Sequence, residues 1–150
     1  MSPTNRPPYY PLFLDLNGKP VLIVGAGKVA LRKAKGLLEA GARVTVVAPA
    51  WDAGFERLPV RLLRRAFRPS DLRGACLVFT AANARAVNQA VAREAARRGI
   101  WANVADSLEE CDFLVPARVR RGRLQIAVST GGESPRMAAE LRRRLEAVLP

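Results

Sequence analysis

One short stretch constrains this chain more than any other: the apolar run Val21-Leu22-Ile23-Val24 passes without a break into Gly25-Ala26-Gly27-Lys28-Val29-Ala30. A continuous apolar run bounded by turn residues is what a parallel strand buried on both faces requires. From residue 28 to residue 40 the apolar positions Val29, Ala30, Ala34, Leu37 and Leu38 recur at helical spacing, and Gly41 stands where a left-handed helix cap is wanted. Residues 43–48 then read as a second strand. The glycine turn therefore has the spacing G-x-G-x-x-A and lies between a strand and a helix, the context that gives this common pattern meaning. The first glycine permits the tight turn, the second lets a pyrophosphate approach the backbone, and Ala30 keeps helix and strand close. Phosphate charge would rest on the helix N-terminus.

Further along, residues 60–63 read as a weak strand, 76–80 as a strong one, 84–98 as a helix ending at Gly99, and 100–104 as a fifth strand. Strands alternating with helices predict an α/β fold, a Rossmann-type doubly wound parallel sheet with ligands outside the carboxyl ends of the strands. Beyond Asp106 the pattern changes: residues 113–119 and 123–129 flank Arg120-Arg121-Gly122 as an antiparallel hairpin, and Ser134-Pro135 opens a helix to about residue 148. The expected division is a dinucleotide-binding domain over residues 1–111 and a hairpin and helix over 112–150. The second part is too small to fold alone, and Leu141, Leu145 and Val148 need a surface to cover them, which predicts a homodimer.

The formal charge of +12 calls for an acidic partner, and most of the excess is arginine, whose fork suits carboxylates and phosphates alike. Nucleic acid is disfavoured, because no recognition helix, stacking aromatics or zinc pattern accompanies the charge. Histidine is absent altogether, so acid and base work falls to carboxylates. Cys76 and Cys111 lack C-x-x-C spacing and read as free thiols, with no metal site. No run approaches the roughly 18 apolar residues of a membrane span. The opening Met1-Ser2-Pro3-Thr4-Asn5-Arg6-Pro7-Pro8 has no apolar stretch behind its charge, so the expectation is a cytoplasmic protein without a membrane partner.

The second strand ends Val47-Ala48-Pro49-Ala50 and offers neither an acid for a ribose hydroxyl nor an arginine for a 2′-phosphate; Asp52 lies several residues late. The motif alone leaves NAD and NADP both open.

Taken in order, several separated segments resemble the precorrin-2 dehydrogenases and the amino-terminal module of sirohaem synthase. Pro11-Leu12-Phe13-Leu14 leads into the glycine turn and Val29-Ala30-Leu31-Arg32-Lys33, matching that family's V-A-x-R-K. Asn103-Val104-Ala105-Asp106, Phe113-Leu114-Val115-Pro116 and Ser129-Thr130-Gly131-Gly132-Glu133-Ser134-Pro135 match its N-V-x-D, F-x-x-P and S-T-G-G-x-S-P segments. The resemblance implies NAD-dependent oxidation of precorrin-2, a polycarboxylate tetrapyrrole, to sirohydrochlorin in sirohaem or cobalamin biosynthesis, on a homodimer built through the hairpins and helices. It assigns Asp106 as the catalytic base. It places Gly25, Ala26, Gly27, Lys28, Val29, Ala48, Pro49, Ala50, Thr80 and Ala81 against NAD. Asn103, Arg118, Arg120, Ser129, Thr130 and Gly131 are then the expected substrate contacts, with Glu109 and Asp112 as weaker rivals to Asp106. Relatives carry a further small helical module after the last helix; its lack here implies dehydrogenation without iron insertion, which is left to a separate chelatase. A non-enzymatic NAD-sensing module is the alternative, and it leaves Asp106 and the S-T-G-G-x-S-P segment unexplained.

Overall fold

The computed structural model describes residues 6–150, so the first five residues of the opening segment lie outside it. The chain divides into two compact units, one spanning Phe13–Phe113 and the other combining the segment up to Leu12 with Leu114–Pro150.

The larger unit is a five-stranded parallel sheet of β1 (Pro20–Val24), β2 (Arg43–Ala48), β3 (Arg61–Arg64), β4 (Leu77–Thr80) and β5 (Trp101–Val104), in the order β3-β2-β1-β4-β5. The Rossmann-type sheet expected from the sequence is therefore present. Val21 to Val24 lie at the centre with at most 2% exposure, which accounts for their unbroken apolar run. Each such side chain contributes about 1.5–3 kcal/mol by leaving water.

Helix α1 (Lys28–Glu39) buries Ala30, Ala34 and Leu37, spaced four and three residues apart, so they form one stripe. That stripe packs with Val21, Ile23, Val44, Val46, Leu77 and Phe79 on one sheet face. Side chains alternate along a strand, so Val78 and Thr80 look the other way, toward α2 (Arg85–Arg97), whose Asn88 meets Thr80. Both helices end alike. Ala42 N donates to Leu37 O and Ile100 N to Ala95 O, with Gly41 and Gly99 at φ +79° and +67°. These are six-to-one caps that turn each helix directly into its next strand.

The remaining crossovers are shorter than helices. A 3-10 turn at Ala53–Arg57 seats the fully buried Phe55 between β2 and β3, and another at Pro69–Leu72 seats Leu72 before β4. The edge position of β3 explains its weak sequence signal: Arg61 and Arg64 are exposed while Leu62 and Leu63 are half-buried.

In the smaller unit β6 (Ala117–Arg121) and β7 (Leu124–Val128) form the expected antiparallel hairpin, and α3 (Pro135–Val148) packs on both strands. Two details differ from the sequence reading. The first strand starts at Ala117 rather than 113, because Phe113 instead meets the ring of Phe79 edge-on, 5.3 Å between centroids and 85° between planes. The turn falls on Gly122-Arg123, one residue later than expected, since Arg121 and Leu124 already pair. Ser134 caps α3 by accepting from Met137 N at 3.2 Å. Among the described residues, no helix is long and apolar enough to cross a membrane.

Candidate active site at the carboxyl ends of the strands

Strands β1, β4 and β5 are neighbours and parallel, so the segments leaving their carboxyl ends share one edge of the sheet. The glycine turn leaves β1. Gly25 holds φ +100°, and a Cβ built there would stand 2.4 Å from Ala81 O, so this position tolerates only glycine. Gly27 is the opposite case: its backbone is extended, and a Cβ would meet nothing within 4 Å. The first turn of α1 has no side-chain cap, leaving its amides directed at the open space in front of Gly27. A turn that admits no side chain behind and keeps open space ahead of uncapped amides fits a pyrophosphate.

Other expected cofactor contacts flank this turn. Ala26 and Ala48 are buried, whereas Lys28, Val29, Pro49 and Ala50 are exposed, with the aliphatic Val29 at 43%. Asp52 N donates to Ala26 O at 2.8 Å, fastening the segment after β2 to the glycine turn. Ala81 N donates to Val24 O at 2.8 Å, holding the end of β4 beside it. Thr80 is fully buried, and its hydroxyl donates to Asn88 Oδ1 at 2.5 Å.

Asn88 organises the rest. Its Oδ1 also accepts from Ala82 N at 2.9 Å, while its Nδ2 donates to Ala82 O at 3.0 Å and to Asp106 Oδ2 at 2.9 Å. Arg85, the first residue of α2, donates to Asp106 Oδ1 at 3.0 Å and pairs with Glu110. A cation at a helix N-terminus is on the unfavourable end of the helix dipole, and these two carboxylates offset it. Asp106 thus has each oxygen fixed by a different donor, yet its side chain keeps 37% exposure. A carboxylate held in one orientation with an open side can accept a proton from a bound molecule.

Asp112 spends a carboxylate oxygen on Ala102 N at 2.8 Å and so locks the loop after β5; Glu109 is exposed on the same loop. Asn103 is 6% exposed, and its amide is used internally. Oδ1 accepts from Lys33 Nζ at 2.8 Å and Nδ2 donates to Phe113 O at 3.0 Å. Lys33 Nζ also lies 5.3 Å from the Phe79 ring centroid, and burial, with Arg32 adding to it, pulls its ammonium below the usual lysine range. Cys111 is a buried free thiol that accepts from Val104 N at 3.1 Å.

The other expected substrate contacts belong to the smaller unit. Arg118 and Arg120 stand two apart on β6, exposed, with buried Val119 between them. Ser129 Oγ accepts from Gly131 N at 3.1 Å and Thr130 Oγ1 from Ser134 N at 3.0 Å, so the turn before α3 is tied to itself.

Sequence reasoning missed Asn88, Arg85 and Lys33 as parts of this arrangement. A signal existed for Asn88, since it shares the stripe of Val91 and Ala95, where a polar residue must find buried partners.

Comparison with known proteins agrees with the geometry. Residues 12–117 match the family described as putative NAD(P)-binding, and residues 121–147 match the family described as sirohaem biosynthesis protein, central. The chain is 44% identical over 146 residues to siroheme synthase 1 of Aeromonas salmonicida and 46% identical to siroheme synthase of Methylococcus capsulatus. Each match covers 95% of this chain and 31% of the relative, so the chain spans about a third of those proteins. Among solved structures it is similar to SirC, precorrin-2 dehydrogenase, with a TM-score of 0.80 and 33% identity, over 95% of this chain and 72% of that one.

Proposed function

This chain belongs to the putative NAD(P)-binding family and to that of the precorrin-2 dehydrogenase SirC, and from that premise we propose that it oxidises precorrin-2 to sirohydrochlorin with NAD. The observation that carries this reading is the pairing of a pyrophosphate-shaped turn at Gly25 to Gly27 with a carboxylate, Asp106, fixed by Asn88 and Arg85 on the same sheet edge. A sensor module needs the first and has no use for the second.

The glycine turn, the first amides of α1, and the exposed Pro49-Ala50 and half-buried Ala81 would hold the dinucleotide, with the buried Thr80 positioning the end of β4 through Asn88. Bound there, NAD supplies the hydride acceptor. Asp106 accepts the proton that the reduced macrocycle loses in the same oxidation, and Arg85 and Asn88 hold its carboxylate in one orientation. The substrate's carboxylates suit guanidinium forks, and Arg118 and Arg120 are the exposed pair we assign to them, with the turn at Ser129, Thr130 and Gly131 offering further donors. Asn103, being buried, acts here by holding Lys33 and Phe113 in place.

The partners of this reaction are a tetrapyrrole and a second copy of the chain. Met137, Leu141 and Val148 stay exposed along α3 at 54%, 39% and 76%, and a homodimer would cover them.

The test is anaerobic incubation with NAD and enzymatically made precorrin-2, following NADH and the macrocycle spectrum together. Formation of NADH in step with sirohydrochlorin supports the reading. NAD binding with no oxidation of the macrocycle favours a sensor. Light scattering at micromolar concentration tests the dimer, which a monomer would contradict.

A further inference from the structure

We propose that the chain carries a second binding site, for a small organic dianion, in the cavity that Arg61, Arg65 and Arg73 line on the sheet face turned away from α1. The site is separate from the glycine turn and does not depend on the dehydrogenase reading.

The cavity follows from how the strands are connected. In a doubly wound sheet, crossover helices cover both faces. Here α1 covers one face, and α2 covers the other where it packs on β4 and β5. The connections into and out of β3 hold 3-10 turns instead, and the first of these puts Phe55 into the core under α1. That leaves Pro69–Leu72, a single turn lying beside α2, to cover the second face of β1, β2 and β3. One turn is too short to close it.

Strand register sets what is left open. Leu22, Thr45 and Arg61 stand abreast on β1, β2 and β3, and residues abreast share a face. Exposure rises along that row, from 2% at Leu22 through the half-buried Thr45 to the exposed Arg61. With Leu63, two residues on from Arg61, they form the sheet side of a cavity of about 230 Å³. Thr45 brings to it a hydroxyl with no hydrogen-bond partner among the described residues. Pro20, Arg61 and Ala75 also line the cavity, and they lie at the amino ends of β1, β3 and β4, opposite to the end from which the glycine turn leaves.

Charge decides the class of ligand. Asp71 is the one carboxylate in the lining, and it is already engaged: it holds Arg65 at 2.6 Å and 2.8 Å and accepts from Arg68 N at 2.8 Å. Among the described residues no carboxylate pairs with Arg61 or Arg73. The cavity therefore keeps two uncompensated positive charges beside the apolar surface of Leu22 and Leu63. Guanidinium forks grip phosphate and carboxylate oxygens in pairs, and an apolar body resting on the two leucines would leave water at the same time. The volume lies below the roughly 300–1,000 Å³ of pockets for larger ligands, so the occupant is small.

Phenyl phosphate and phthalate, two dianions on an aromatic body, are the probes. Each is titrated into the isotope-labelled full chain at neutral pH while backbone amide resonances are followed. Saturable shifts are expected at Leu22, Thr45, Leu63 and Ala75, with a Kd below about 1 mM that weakens as salt is raised. Neutral benzyl alcohol should leave those amides unmoved. Arg61→Ala combined with Arg73→Ala should weaken phenyl phosphate by about tenfold or more, because each removes a charge-assisted bond. Circular dichroism checks the fold, and Arg61→Gln alone carries the same comparison if the double variant does not fold. Shifts confined to Gly25 to Val29, no shift with either probe at about ten times that concentration, or undiminished affinity in a folded variant overturns the proposal. Benzyl alcohol binding as tightly as phenyl phosphate would overturn it too.

Discussion

Asn88 donates its side-chain amide to Asp106 across 2.9 Å from a helix position that is only 1% exposed, joining the interior of α2 to the loop that leaves β5. The same amide group holds Thr80 and both backbone groups of Ala82, so one buried residue sets the end of β4 and the orientation of Asp106 together.

Asn88→Leu keeps the volume and removes every one of those bonds. The expected loss is about 1–3 kcal/mol of stability in urea unfolding, because the Thr80 hydroxyl is left buried without its acceptor and the half-buried Ala82 N loses its partner. Turnover should fall further than NAD affinity, since Asp106 loses one of its two fixing donors. A variant with unchanged unfolding midpoint and unchanged kcat would show that the network is incidental.

The two glycines of the turn should fail differently. Gly25→Ala places a methyl 2.4 Å from Ala81 O on a backbone at φ +100°, so it should unfold or severely destabilise the chain. Gly27→Asp meets open space and should fold, but it sets a carboxylate where the pyrophosphate must approach. Calorimetry on the folded Gly27→Asp variant should detect no NAD binding; undiminished affinity would move the cofactor elsewhere.

Much of this was legible in the sequence because the central strands are buried on both faces, which demands the unbroken apolar runs around Ile23 and Val78. The glycine turn and Asp106 were legible by motif and by position after a strand. What escaped depends on contacts that no local pattern encodes. Phe113 extended an apparent strand, yet its ring serves the packing of Phe79. Lys33 was legible only as the last residue of the V-A-x-R-K match, and its bond to Asn103, seventy residues on, emerges only when β5 takes its place in the sheet.

Lys33 carries a pH prediction. Burial lowers its folded-state pKa below the unfolded value of about 10.4, so between those two values the unfolded chain holds a proton that the folded chain has released. Stability from this group therefore rises with pH through that window and is lowest below it, where an ammonium must be buried. Measured by urea unfolding from neutral to alkaline pH, the stability of wild type minus that of Lys33→Met should rise with pH. A flat or falling difference would contradict the assignment.

Arginine anchoring of a polycarboxylate predicts that the KM for tetrapyrrole rises with ionic strength far more than the KM for NAD. Exposed charge pairs are screened over about 8 Å at physiological salt, whereas backbone amides at a helix N-terminus act at contact. Arg120→Ala should flatten the salt response of the tetrapyrrole. Parallel responses for the two ligands would remove charge as the basis of substrate recognition.

The central claim is that Asp106 takes a proton while NAD takes hydride, and turnover of Asp106→Asn under anaerobic conditions tests it most directly. Asparagine keeps the size of the side chain and can still hydrogen-bond, and it caps turns about as well as aspartate, so a structural role would be preserved. The account predicts NAD affinity close to wild type and turnover of precorrin-2 lower by about 10² to 10⁴, the usual range for losing a positioned base. Oxidation of precorrin-2 by Asp106→Asn at the wild-type rate would contradict it.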